Sequence, residues 1–245
     1  VGSGANNLGI QNGGWTVEWQ GRFTPDFEIL DQNSNNMLQR SELTTFYKDI
    51  YGTKYDDGAV MGLFSSMDTD KNNSVDKKEF KSHETSSPFQ PAGTSLYNAI
   101  NQSIIDKENL VYDPRANDLN GDGIIIAVIG EYPYAEGYGD NETLSINSFD
   151  QDVLKKCYDS GKKVIVIMLS GRPLIIKDHI QKWDGFLAAW LPGMAGEGVS
   201  DVIFGDYNPT GKLSFSWPKN IKQIPIDYND ENYDPLFKFG FGLNY

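Results

Sequence analysis

Two stretches of this 245-residue chain space oxygen-bearing side chains in the same way. The first is Asp31-Gln-Asn33-Ser-Asn35-Asn36-Met37-Leu38-Gln39-Arg-Ser-Glu42, and the second is Asp68-Thr-Asp70-Lys-Asn72-Asn73-Ser74-Val75-Asp76-Lys-Lys-Glu79. In each, positions 1, 3 and 5 carry side-chain oxygens: Asp31, Asn33 and Asn35, then Asp68, Asp70 and Asn72. Position 7, Met37 or Ser74, offers a backbone carbonyl; position 9, Gln39 or Asp76, can act through a water. Position 12 is Glu42 or Glu79, able to ligate with both carboxylate oxygens. A hard cation that takes only oxygen ligands, Ca2+, suits such a set. Position 6, where glycine is usual, is Asn36 in one loop and Asn73 in the other; asparagine tolerates the left-handed backbone this turn demands. The first loop presents two carboxylates and the second presents four, which predicts tighter Ca2+ binding at the second.

The loops begin 37 residues apart and place Leu38 and Val75 at position 8, so they resemble a paired EF-hand. The segments around them fit that resemblance, with short amphipathic helical patterns at 27–30, 41–50, 59–67 and 77–81. From Pro25 to Glu84 there are 12 acidic and 7 basic residues, a net charge of −5. Residues 23–88 are expected to form an inserted all-α module. A third segment, Asp118-Leu-Asn120-Gly-Asp122, starts like a calcium loop, but its position 12 is Ile129, which cannot ligate. It reads as a turn before a strand.

The rest of the chain, 1–22 and 89–245, has the pattern of an α/β domain: an open, mostly parallel sheet sandwiched by helices. The apolar runs 124–129 and 164–169 are what parallel strands covered on both faces require. Between them, 148–161 has helical spacing and ends at Gly161, which makes a β-α-β unit. Further short strands are expected at 174–177, 186–191, 202–204 and 213–217, with the aromatic, Gly-rich tail from Tyr233 packed across the domain.

Composition narrows the possible partners. With 21 Lys plus Arg against 34 Asp plus Glu the net charge is −13, which disfavours nucleic acid and anionic membrane surfaces. No apolar run reaches the length of a membrane span. The lone cysteine, Cys157, excludes an internal disulfide framework. Val1 reads as the last residue of a buried strand entering a Gly-rich turn, so the chain is expected to be a piece of something longer.

Outside the insert, several segments together resemble the C-terminal domain of glycoside hydrolase family 3, the β-glucosidase and exo-β-glucan hydrolase family. They are the Gly-rich start 2–9, GGWTVEWQG at 13–21, GEYPYAEGYGDN at 130–141, LSGRP at 169–173, AAWLPG at 188–193, FGDYNPTGKL at 204–213 and the ending FKFGFGL at 237–243. The resemblance implies a retaining glycosidase whose active site lies between an N-terminal (β/α)8-like barrel and this α/β domain. By the motif match Glu136 is the acid/base residue. The nucleophile is expected on the barrel, which is absent from this chain. Trp19 matches a tryptophan that stacks on the sugar, and Trp15 is a weaker substrate-binding candidate. Glu131 is expected to hold the loop, and Arg172 and Asp206 to make structural or interdomain hydrogen bonds.

The expectation is therefore the C-terminal half of a β-glucosidase or exo-β-glucanase, acting on β-glucan or β-gluco-oligosaccharide only together with its barrel, with two Ca2+ bound by the insert. The resemblance implies an extracellular, periplasmic or vacuolar/lysosomal location. The alternative is a calcium-binding interaction or scaffold module that derives from such a domain and has lost catalysis.

Overall fold

The computed structural model describes residues 1–13, 25–86, 93–134 and 136–245, with the backbone alone at Glu136 and Tyr138. In chain order its elements are α1 (Leu8–Asn12), α2 (Phe27–Leu30), β1 (Met37–Leu38), α3 (Arg40–Tyr51), α4 (Asp57–Met67), β2 (Val75–Asp76), α5 (Lys77–Thr85), α6 (Leu96–Ser103), β3 (Ile124–Gly130), α7 (Ser148–Asp159), β4 (Lys163–Leu169), β5 (Gly185–Trp190) and α8 (Gly196–Phe204). The result is the mixed α/β fold expected from the sequence.

Strands β3, β4 and β5 form a parallel sheet in that order. Their continuous apolar runs serve two cores at once. Ala127, Ile129, Val164, Val166 and Met168 pack with Val153, Leu154 and Cys157 of α7; Val128, Ile167 and Leu169 join the other core. Asn147 caps α7 by accepting from the backbone N–H of Asp150. The first residues run beside β3: Val128 donates its N–H to the Val1 carbonyl at 2.9 Å, and Gly4 donates to the Val128 carbonyl at 2.9 Å.

Three of the expected short strands turn out differently. Val202–Phe204 is the last turn of α8, because Val199, Val202 and Ile203 have helical spacing and Gly205, at φ 82°, closes the helix. Leu174 and Ile176 are buried, but the segment that carries them follows Pro173 and bonds to a loop through Ile175 N–H and the Leu144 carbonyl at 2.8 Å, so it is extended without a ladder. Residues 213–217 pair antiparallel with the tail: Trp217 N–H donates to the Phe237 carbonyl at 2.8 Å and Leu213 N–H to the Phe241 carbonyl at 2.9 Å. The tail thus packs across the domain as expected, with Phe237 edge-on to Trp217.

The stretch 25–86 holds two helix-loop-helix units, α2 with α3 and α4 with α5. Short strands β1 and β2 join them, pairing Leu38 with Val75. Phe27, Leu30, Leu43, Phe46, Phe64, Met67 and Phe80 form its core, which is continuous with the core under Val128 and Ile167. Helical patterning in this stretch therefore translated directly into helices. The domain boundaries at 22/23 and 88/89 lie outside the described residues.

Candidate functional site

In open parallel sheets, ligands bind beyond the carboxyl ends of the strands. At that end of β3 the chain continues through Glu131 and Tyr134 into a one-turn 3-10 helix, Glu136–Gly139. The backbone of Glu136 therefore sits where a catalytic group is useful, although its side chain lies outside the described atoms. Trp15 and Trp19 lie outside the described residues.

Arg172, just past the carboxyl end of β4, holds this loop. Its Nε and Nη2 donate to Glu131 Oε1 at 2.9 and 2.7 Å, and its Nη1 donates to the Gly139 carbonyl at 2.6 Å. The guanidinium also lies 4.5 Å from the Tyr134 ring centroid, and the Tyr134 hydroxyl donates to Glu131 Oε2 at 3.3 Å. Burial, then the Glu131 charge, pushes that hydroxyl up to about 12. With 12% of the Glu131 side chain exposed, this is a half-buried charge pair in which each guanidinium nitrogen donates a hydrogen bond, the arrangement in which such pairs are favourable. Gly139 is required by the packing, since a Cβ there would lie 2.3 Å from the Tyr134 ring. Glu131 thus has the loop-holding role expected of it, and Arg172 makes structural hydrogen bonds as expected.

Beneath the loop, Asp150 is fully buried. It accepts from Ser3 N–H at 2.9 Å, Ser3 Oγ at 2.7 Å, Gly130 N–H at 3.0 Å and Asn147 Nδ2 at 2.8 Å. Burial pushes its carboxyl up, against these hydrogen bonds. Gln11, also fully buried, donates to the carbonyls of Thr94 and Gly193 at 2.9 and 2.8 Å and accepts from Leu96 N–H. The Gly-rich start, the 130–141 loop, LSGRP and the end of AAWLPG therefore converge on one edge of the sheet.

The two loops 31–42 and 68–79 have matching geometry. Asp31 accepts backbone N–H bonds from Asn35 and Asn36 at 3.1 and 2.8 Å; Asp68 does the same with Asn72 and Asn73 at 3.1 and 3.0 Å. Asn36 and Asn73 have φ of 63° and 64°, the left-handed backbone expected at position 6. Asn35 Oδ1 accepts from Met37 N–H, and Asn72 Oδ1 from Ser74 N–H. Each position-12 glutamate reaches back across its loop. Glu42 accepts from the N–H groups of Asn33 and Gln39 at 3.2 and 2.9 Å, and Glu79 from those of Asp70 and Asp76 at 3.2 and 3.1 Å. Hydrogen bonds, the Thr69 hydroxyl first, hold the Glu79 carboxyl below its ordinary range. Carboxylate oxygens of Asp68, Asp70 and Glu79 lie within 4.8 Å of one another. The candidate ligand atoms are oxygens throughout, so the residues present fit a hard cation. Arg115 distinguishes the loops: it donates to the Glu28 and Ile29 carbonyls at the end of α2, and burial lowers its guanidinium against the favourable charges of Asp31 and Glu42.

The helical stretch 25–86 also touches the 131–141 loop and its surroundings, in contacts that the sequence did not announce. Phe46 of α3 packs edge-on against Tyr132 with centroids 5.3 Å apart. Ser148 donates to Asp49, and Lys54 donates to the Gly137 carbonyl. A cavity of about 430 Å³ lies between, lined by Tyr51, Lys54, Glu131, Tyr134, Asn141 and Arg172. Lys54 and Gly137 are 83 residues apart, and no local pattern marks such a pair.

A lysosomal beta glucosidase of Dictyostelium discoideum is 28% identical over 252 residues, covering 100% of this chain and 25% of that protein. A periplasmic beta-glucosidase of Salmonella typhimurium is 31% identical over 145 residues, which is 50% of this chain and 19% of that protein. Among solved structures, an exo-1,3/1,4-beta-glucanase from a Pseudoalteromonas species matches with a TM-score of 0.65 and 30% identity, over 100% of this chain and 31% of that one. The chain thus spans between 19% and 31% of the length of these relatives. The model of the glycosyl hydrolase family 3 C-terminal domain matches residues 1–245, and with the parallel sheet and converging motif loops already described, the chain belongs to that family.

Proposed function

We propose that this chain is the part of a retaining β-glucosidase or exo-β-glucanase that supplies the acid/base glutamate, Glu136. The observation that carries the reading is the position of the Glu136–Gly139 turn, at the carboxyl end of β3 and held by Arg172 at the Gly139 carbonyl. A protonated carboxyl there delivers its proton to the glycosidic oxygen as the bond to the anomeric carbon breaks. The same group then takes a proton from the water that releases the sugar from the nucleophile. The nucleophile is a second carboxylate about 5–5.5 Å from the first, and we assign it to a barrel domain that precedes this one in the complete enzyme. Trp19, with Trp15 beside it in sequence, supplies a flat apolar face for a pyranose ring. The substrate is a β-glucan or β-gluco-oligosaccharide. The periplasmic and lysosomal relatives support a location outside the cytoplasm.

The insert, in this reading, is an EF-hand pair that binds two Ca2+. Asp31, Asn33, Asn35, Met37, Gln39 and Glu42 would hold one ion, and Asp68, Asp70, Asn72, Ser74, Asp76 and Glu79 the other. The cations neutralise the clustered carboxylates and fix the loops that begin α3 and α5. The test is hydrolysis by the complete enzyme carrying Glu136→Gln. Loss of activity on alkyl β-glucosides, whose leaving groups need a proton, is expected, and undiminished hydrolysis of them sinks the assignment.

A further inference from the structure

The turn that carries Glu136 is gripped at two backbone carbonyls by two cations from different parts of the fold. Arg172, from the carboxyl end of β4, donates to the Gly139 carbonyl at 2.6 Å. Lys54, from the 3-10 turn Gly52–Lys54 that follows α3 of the insert, donates to the carbonyl of Gly137, the residue next to Glu136. The same carbonyl accepts the Asp140 N–H at 3.3 Å within the turn. The element that presents Lys54 is itself fixed against the roots of this loop. Phe46 on α3 abuts Tyr132, and Asp49 near its end accepts from Ser148 at the start of α7. At its other end α3 carries Glu42, position 12 of the first calcium loop, in its first turn.

We propose that Lys54 is a positioning residue for glycoside hydrolysis: its ammonium group pins the Gly137 carbonyl, which sets where the adjacent Glu136 carboxyl points. The inference rests on the assignment of Glu136 as the acid/base residue. Arg172 fixes the turn at Gly139, and Lys54 supplies a second point of attachment at Gly137. General acid catalysis needs the carboxyl within hydrogen-bond reach of the glycosidic oxygen, about 2.6–3.2 Å, and misplacement by about 1 Å costs up to about 100-fold. The lysine acts on the backbone carbonyl next to Glu136. Its loss therefore penalises the steps that need proton transfer and spares those that do not.

The experiment uses the complete enzyme with calcium present and compares wild type, Lys54→Ala, Lys54→Arg and Glu136→Gln on aryl β-glucosides of graded leaving-group acidity. For Lys54→Ala, kcat/KM falls about 5–20-fold on phenyl or alkyl glucosides and less than about 2-fold on dinitrophenyl glucoside, whose departure needs no proton. Lys54→Arg, which restores a cation of similar reach, recovers most of the loss. Because Lys54 is exposed, neither variant threatens folding. Hydrogen exchange provides a readout independent of activity: amides in 131–141 exchange faster in Lys54→Ala than in wild type. An equal loss on every substrate, or no loss, with unchanged exchange in 131–141, overturns the role of Lys54 and leaves the assignment of Glu136 standing. If Glu136→Gln keeps full activity on alkyl glucosides, both fall together.

Discussion

Replacing Asp150 should cost more than replacing any exposed carboxylate in the chain. Four donors converge on it: Ser3 N–H, Ser3 Oγ, Gly130 N–H and Asn147 Nδ2, at 2.7–3.0 Å. Asp150→Ala leaves the two backbone N–H groups buried without an acceptor, at about 1–3 kcal/mol each. Removing a buried charge offsets part of this, as the upward push on its carboxyl by burial indicates. A net loss of about 3 kcal/mol follows. At about 2–4 °C per kcal/mol for a domain of this size, the melting transition drops by about 6–12 °C. Asp150→Asn is a partial remedy: with its amide oxygen in the place of Oδ2 it keeps the bonds from Ser3 Oγ, Gly130 and Asn147, while its NH2 faces the Ser3 N–H, so it should recover much of the loss but not all of it. Scanning calorimetry of the complete enzyme measures the shift, and, if Glu136 is the acid/base residue, kcat should fall as well because Gly130 ends β3 and leads into the 131–141 loop. A drop below about 2 °C in the alanine variant, or an asparagine variant equal to wild type, would refute this reasoning.

The remaining predictions concern charge and calcium. Calcium titration should resolve two affinities, with Glu79→Gln abolishing the tighter and Glu42→Gln the weaker, since the second loop has more carboxylates and the first faces Arg115; equal affinities count against this ranking. Arg172→Ala removes three donors from the 131–139 loop and should lower kcat by about 10–100-fold, with Arg172→Lys a poor substitute because it lacks the planar fork. Asp26, pushed by burial from 3.8 to about 6 against the Tyr112 hydrogen bond, has a folded value above its unfolded one. Its contribution to stability is therefore fully present below about pH 4 and lost as pH rises through about 6. Thermal melts in chelator should find Asp26→Asn close to wild type at about pH 4 and more stable at about pH 8, by up to about 3 kcal/mol.

What the sequence disclosed was whatever repeats locally. Continuous apolar runs marked β3 and β4, the 3.6-residue spacing marked α3, α4 and α5, and the loop positions from Asp31 to Glu42 and Asp68 to Glu79 depend on neighbours along the chain. Asn36 and Asn73 were legible for the same reason, as a conformation one residue must adopt. The segment 202–204 misled because three apolar residues fit a strand or a last helical turn equally well, and the deciding Val199 and Gly205 lie outside it. The grip of Arg172 on Glu131 and Gly139, the bonds from Ser3 and Gly130 to Asp150 and the reach of Lys54 to Gly137 join residues between 20 and 147 positions apart. Tertiary packing creates such contacts, and no periodicity records them.

The most direct test of the central assignment is chemical rescue of Glu136→Ala in the complete enzyme with azide, using a dinitrophenyl β-glucoside. With the base gone, the glycosyl-enzyme forms but hydrolyses slowly, and azide, which needs no deprotonation, should restore turnover and yield the β-glucosyl azide. If azide has no effect and the alanine variant hydrolyses alkyl glucosides like wild type, Glu136 is not the acid/base residue.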